Sequence, residues 1–404
     1  MKNALITTMM LKSYGLSLLN RGEDGFGKQG IYGGVNRARV SSQCLKKALR
    51  KMGVFNENIR SAHLEDLIEK ILSEMIQSGS IDEKDVDSYG TKICEALGCD
   101  WSKKGNQGKD AEKKRTIAVT SFAEVLAVVN AATSVKTTDE KEIKKAITEA
   151  LSKTRISAEK AMFGTMVASK DSELKTVDGA TQIGQSFSID EYAPENDFIA
   201  ATFEGGKADD SDPFYGSLND FIVERKTESG SETLTNSWMN ANVMFTPTCI
   251  NVNELIRNLS QSTNHTDLEI AKDMVLADAK TCITDFLENL PITDPSAKQN
   301  SCSSHPAPSI YYIEFIKNGN CQYTDFEKVI RRNNKGITEQ GIERILEFAQ
   351  DMTFRRGEIE RYVMLSGPYK NYEKEFEAVG VKVVHSLNDL STIVNTETER
   401  LVSE

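Results

Sequence analysis

The residues best suited to chemistry gather in one stretch of this chain, 19–51. Gln43, Lys46, Lys47 and Arg50 are spaced so that, on a helix, all four lie within about 60° of one another's common side. Leu45, Ala48, Leu49 and Met52 fall on the opposite side. Such a helix docks its apolar face on a sheet and shows three cations and an amide to solvent. A row of this length suits a string of phosphates better than one small anion. The segment before it adds Asn20, Arg21, Lys28, Arg37 and Arg39, interleaved with Gly22, Gly25, Gly27, Gly30, Gly33 and Gly34. Glycines let backbone N–H groups approach phosphates closely. The helix start at Ser41–Ser42 adds its partial positive charge.

Other motifs are decoys. Gly25-Phe-Gly27-Lys-Gln-Gly30 matches a dinucleotide fingerprint, but its third glycine leads into Ile31-Tyr32-Gly33-Gly34 rather than a helix. The residue twenty positions on, where an acid is required, is Arg50. Cys94 and Cys99 lack a second Cys or His pair to complete a zinc site. The four histidines, at 63, 265, 305 and 385, form no triad or metal motif. No cofactor is expected.

The elements that must hold the basic unit come from hydrophobic patterning. Residues 4–11 read as a buried strand, 42–52 as a helix and 181–189 as a strand. A strand at 242–250, a helix at 267–290 and a strand at 309–315 follow. That is the βαββαβ order of a ferredoxin-like or RRM-type sheet, in an α+β fold. Three parts interrupt or extend it. Residues 56–160 read as a helical insertion. Residues 190–241 hold twelve Asp/Glu against three Lys/Arg and read as an excursion, of the kind a β-hairpin arm makes. Residues 242–404 complete the sheet and add a helix near 338–352 with strands at 361–365 and 381–384. Palm segments are thus expected at 1–55, 161–189 and 242–404.

The chain has 404 residues and a net charge of −11, yet residues 1–53 carry ten Lys/Arg and two Asp/Glu. A basic N-terminal segment on an acidic chain points to a localised anion site rather than general nucleic-acid stickiness. Seven cysteines, an odd number, give no disulfide framework and fit a reducing, cytoplasmic setting. No run of about 18 apolar residues exists, so no membrane partner is expected.

The run from Leu19-Asn20-Arg21 through Lys28 and Ile31-Tyr32-Gly33-Gly34-Val35-Asn36-Arg37-Ala38-Arg39-Val40-Ser41-Ser42-Gln43 to Arg50 resembles the opening of the CasC family. These are backbone subunits of the type I-E CRISPR surveillance complex, Cascade. Ala161-Met162-Phe163-Gly164-Thr165-Met166, Val177-Asp178-Gly179-Ala180 and Ala297-Lys298-Gln299-Asn300 match further on. The resemblance implies an RRM-like palm, helical fingers and a thumb hairpin. It implies copies stacked along CRISPR guide RNA, which is kinked at intervals and pairs with target DNA beside other Cascade subunits. RNA-backbone contacts would fall on Asn20, Arg21, Lys28, Ser41, Gln43, Lys46 and Arg50, with Met166 at the kinked base. Without the resemblance, Met166 reads most simply as a core methionine. Asn36 stands where the family places a basic residue, and Gln185 and Asp190 where it has histidines.

Two lysine groups offer secondary sites. Lys141, Lys144 and Lys145 share a helix face that reads first as a solvated surface interleaved with Glu140 and Glu142, and second as an electrostatic hold on target DNA. Lys103 and Lys104 lie in a polar loop and would serve the same role. The first reading is a non-catalytic RNA-binding assembly subunit. The alternative is a type III-like backbone subunit that cleaves target RNA with a carboxylate of the first loop, Asp24 beside Glu23.

Overall fold

The computed structural model describes residues 3–23, 25–56, 58–99, 101, 119–135, 139–167, 172–202, 231–261 and 268–403. Its centre is strand β1 (Ala4–Ser13), in which every residue but the last is buried. Both faces of β1 are apolar because both are covered. Ile6 and Met10 face one cluster, while Met9 and Leu11 face another. After β1 come a short hairpin, β2 (Gln29–Tyr32) and β3 (Val35–Val40), and helix α1 (Ser42–Leu49).

A block of small strands and helices follows. It comprises β4 (Asn58–Arg60), α2 (Ser61–Gln77), α3 (Val86–Leu97), β5 (Val119–Ser121), α4 (Phe122–Ser134) and α5 (Glu140–Lys153). The chain returns to the sheet through α6 (Ala158–Phe163), β6 (Thr181–Ile183) and β7 (Ser186–Ser188). The described ends of the acidic excursion form an antiparallel pair, β8 (Glu195–Thr202) and β9 (Ser231–Met239). Residues 203–230 of that excursion lie outside the described residues. The chain then runs through β10 (Val243–Asn251), α7 (Val252–Ser260), α8 (Leu268–Asn289) and β11 (Ile310–Lys317). It closes with α9 (Ile337–Gln350), β12 (Glu358–Leu365), α10 (Glu373–Ala378), β13 (Lys382–Val383) and α11 (Leu390–Val402).

The main sheet has the order β13-β12-β11-β1-β10-β7-β3-β2, with β6 also on β10. Its middle is the antiparallel run β11-β1-β10-β6/β7, the order a βαββαβ chain must adopt when each helix crosses back over the sheet. The sequence reading of these elements holds, with two differences. The strand over 181–189 is broken into β6 and β7 at Gly184, where an added Cβ would meet Pro247 Cγ at 2.8 Å. The glycine-rich segment treated as loop contains the hairpin β2–β3, with Gly33 and Gly34 both at positive φ in its turn.

Helices cover both sheet faces. One cluster joins α1, α6, α7, α8 and α11, through residues such as Leu45, Leu49, Leu255, Phe286 and Val394. On the other face Phe326, Ile342, Ile345 and Phe376 pack on Leu11, Phe245 and Tyr312. The helical block has its own core, built from Leu64 and Ile68 with Ile93, Val125, Val129, Ile143 and Ile147. Among the described residues, no helix is long and apolar enough to cross a membrane.

A buried ion pair ties this block to the sheet. Lys160 Nζ on α6 lies 2.7 and 2.6 Å from the two carboxylate oxygens of Glu124 on α4. Glu124 also accepts from the Ser121 N–H at 2.7 Å and the Thr120 hydroxyl at 3.0 Å, closing a capping box. Lys160→Met strands the buried carboxylate and is expected to cost about 3–5 kcal/mol. Adding Glu124→Gln, which keeps a capping oxygen but removes the charge, restores part of that loss. Urea unfolding of the two variants measures it.

Candidate nucleic-acid interface

The basic unit is stitched together by its own polar residues. Ser41 is the N-cap of α1, with its hydroxyl accepting from the Cys44 N–H at 3.3 Å. The Asn20 side-chain oxygen accepts from the Ser41 N–H at 3.0 Å. The Asn20 carbonyl accepts from the Lys28 N–H at 2.7 Å, and the Lys28 carbonyl from the Arg39 N–H at 2.8 Å. Loop, hairpin and helix therefore form one body. The loop is also pinned at its far side, where Phe26 stacks on Trp238 of β9 at 4.6 Å between centroids. Gly27 sits so close to the Tyr192 hydroxyl that an added Cβ would meet it at 3.1 Å.

On this frame the predicted residues divide. Arg21, Gln43 and Lys47 are exposed, and Lys28, Arg39 and Lys46 are half-buried with part of their surface open. Burial pushes the Lys46 ammonium below its ordinary pKa, and neighbouring Arg50 pushes it further. The negative charge of an arriving phosphate would offset both effects by favouring the charged ammonium. Arg39 donates to the Gln185 side-chain oxygen at 2.9 Å, so this glutamine orients the arginine.

Three predicted contacts are corrected or recast. Arg37 is only 1% exposed and cannot meet a nucleic-acid backbone. Its guanidinium donates to the carbonyls of Ser188 (2.9 Å), Phe326 (3.1 Å) and Glu327 (3.0 Å), clamping the hairpin to a distant loop. Ser41, 8% exposed, spends its hydroxyl on the cap, so its work is structural. Arg50, just past the end of α1, has its Nε 2.9 Å from buried Glu159 and its guanidinium 5.6 Å from the Phe163 ring centre. One side of that cation is already matched within the protein.

Met166 is the reverse case. It is 81% exposed, which overturns the reading as a core methionine. The matching motifs around it hold one another. Thr165 and Val177 exchange N–H···O bonds of 2.9 and 3.0 Å. A Cβ on Gly179 would sit 2.6 Å from the Phe163 carbonyl carbon, so the two chains meet as only glycine allows. Asn258 on α7 donates from one amide to both Ala161 and Asp178 carbonyls, at 3.0 and 2.7 Å. Met166 thus projects from a rigid turn directly after α6, the helix that holds Arg50.

Lys141, Lys144 and Lys145 are exposed on α5, away from this unit. Lys144 pairs with Glu173 at 3.1 Å, and Glu140 on the same helix pairs with Lys92 at 3.0 Å. Lys103, Lys104 and Asp24 lie outside the described residues. The structure adds cations that sequence reading passed over. Lys328, Arg331 and Arg332 are exposed on a loop that packs on the β2–β3 hairpin through a 2.6 Å bond from the Tyr32 hydroxyl to Asp325. The run Lys328 to Lys335 holds four basic residues, a signal available in the sequence.

Comparison with known proteins places the chain. Residues 6–392 match the family described as CT1975-like protein, and the chain belongs to that family. Its structure is similar to a chain of a "CRISPR RNA-guided surveillance complex, pre-nicking" at 20% identity and TM-score 0.70, covering 98% of this chain and 100% of that one. A chain of a second "CRISPR RNA-guided surveillance complex" has 16% identity and TM-score 0.52, covering 97% of this chain and 99% of that one. At these identities the likeness is one of fold. No curated protein matches in sequence.

Arg37→Met leaves three carbonyls without their donor and is expected to destabilise the chain by about 3 kcal/mol or more. Chemical denaturation reads the loss.

Proposed function

We propose that this chain is a non-catalytic backbone subunit of a CRISPR RNA-guided surveillance complex of the Cascade type, subtype I-E. In this reading it holds guide RNA by its phosphates and leaves sequence to base pairing with target DNA. The main sheet with α1 serves as palm, the helical block as fingers and β8–β9 as the root of a thumb. Further copies and other Cascade subunits are its protein partners.

The observation that carries the reading is the cationic row Arg21, Lys28, Lys46 and Lys47 on a loop–helix unit stapled by Asn20 and Ser41. A preformed row spends little ordering entropy on binding and reads no base. Both faces of the sheet are covered by helices, so bases are not stacked on strand aromatics as in an ordinary RRM. Exposed Met166 supplies an apolar contact for a base displaced from the stack. Exposed Lys141 and Lys145 offer target DNA a weaker, purely electrostatic surface.

Lys46→Ala with Lys47→Ala tests the row without touching Arg50, whose loss would strand Glu159. Affinity for single-stranded RNA should fall. The slope of log K against log salt should become shallower by about 1.4, the share of two phosphate contacts. An unchanged slope removes these lysines from the interface. The assembled complex with complementary labelled RNA and a divalent metal is expected to leave that RNA intact. Cleavage that disappears in Asp24→Ala would establish the type III-like alternative.

A further inference from the structure

Two thiols meet on the sheet face covered by the segment between β11 and α9. Cys249 lies on β10 opposite Thr7 of the central strand and is 5% exposed. It belongs to a small apolar cluster with Leu5 of β1 and Ile316 of β11. Cys321, four residues past the end of β11, is half-buried and packs on the same cluster beside Tyr323 and Ile359. The Cys321 sulfur accepts hydrogen bonds from the Cys249 thiol and the Tyr323 hydroxyl. The covering segment is fixed on both sides of this meeting point. Before it, the Asn318 N–H bonds the Asn3 carbonyl at 2.7 Å, and a Cβ on Gly319 would meet the Arg356 carbonyl oxygen at 2.1 Å. After it, the Thr324 N–H lies 3.4 Å from the Met9 sulfur, and the carbonyls of Phe326 and Glu327 hold Arg37.

The two sulfurs have unlike surroundings. Donating to Cys321, and burial, push the Cys249 thiol above its ordinary pKa. Accepting from Cys249 draws the Cys321 thiol below its ordinary pKa; burial acts against this, and the Tyr323 hydroxyl adds to it. Glu314 is the neighbouring carboxylate that disfavours a thiolate here, and it is paired with Arg355, both nearly fully buried. A partly open sulfur that is stabilised as thiolate, with a protonated thiol held against it, is an attacking and resolving pair.

We propose that Cys321 and Cys249 are a modification site, closing into a reversible disulfide when the chain meets a peroxide. The Cys321 thiolate attacks one peroxide oxygen. An S–O bond forms, the O–O bond breaks, and hydroxide leaves and takes up the proton that Cys321 released. The Cys249 sulfur then attacks the sulfenic sulfur. The S–S bond forms, the S–O bond breaks, and the hydroxyl leaves as water with the Cys249 proton. The two sulfurs give up one electron pair in all, and the peroxide oxygens receive it. Exchange with a dithiol reductant reopens the bond. The crosslink fastens β10 to the segment that carries exposed Lys328, Arg331 and Arg332 and clamps the β2–β3 hairpin. In a reducing setting both thiols rest free, as transient redox-active pairs do.

The test is oxidation of the full chain with a graded series of hydrogen peroxide, followed by alkylation of remaining thiols and peptide mapping without reduction. The wild type should yield a crosslinked peptide joining Cys249 to Cys321 and an intact mass lower by about two units, both reversed by dithiothreitol. Cys249→Ala should leave Cys321 as a sulfenic acid that dimedone labels. Cys321→Ser should keep Cys249 reduced up to about tenfold more peroxide than closes the wild-type pair. The wild-type map judges the proposal by itself should either variant fail to fold. Cys249 and Cys321 recovered unlinked across the series, or a wild-type Cys321 sulfenic acid that never closes onto Cys249, overturns the proposal.

Discussion

Two adjacent side chains on α6 hold the working parts of this molecule in relation to one another. Glu159 and Lys160 are each 2% exposed and opposite in charge. Their partners come from different regions. Glu159 faces Arg50 beneath the cationic row, and Lys160 faces Glu124 at the start of α4. A buried charge is tolerable only with its partner in place, so neither contact can be given up cheaply. The palm's basic helix and the helical block are thereby registered on the same short helix. Met166 follows that helix by a few residues, so the row and the exposed methionine share one support.

The electrostatics of the row follow from the same economy. The chain as a whole is acidic, and exposed cations beyond residue 53 are repeatedly answered by a nearby carboxylate, as Lys144 is by Glu173 and Lys335 by Glu343. Lys46 and Lys47 differ. Among the described residues no ion pair is found for either, and Lys46 carries the cost of its partial burial. A surface that keeps cations unmatched on a stiff frame is complementary to a polyanion, and a row rather than a pocket is complementary to a chain of phosphates.

Much of the fold could be read from the sequence because its strands are continuous apolar runs and its helices have clear periodicity. The strand order then follows from connection rules. The hairpin β2–β3 was hidden because its glycines read equally well as a phosphate-binding loop. The row itself was legible, since helical spacing is local. Its exceptions were not. Arg37 is buried by carbonyls from residues 188, 326 and 327, and Arg50, half-buried, is matched on one side by a carboxylate at 159, so their fates depend on contacts far along the chain. Met166 departs from its residue-alone reading in the opposite direction. A methionine beside an apolar helix reads as core, yet this one is exposed just past the close Gly164–Gly179 approach, a contact far along the chain.

The central claim is that RNA lies along the loop–helix row. Lysine acetylation of the full chain, free and bound to single-stranded RNA, followed by mass spectrometry, tests it most directly. The account predicts strong protection of Lys28, Lys46 and Lys47 by RNA, with exposed lysines remote from the row, such as Lys374 on α10, modified as before. Equal modification of Lys46 and Lys47 with and without bound RNA would contradict it.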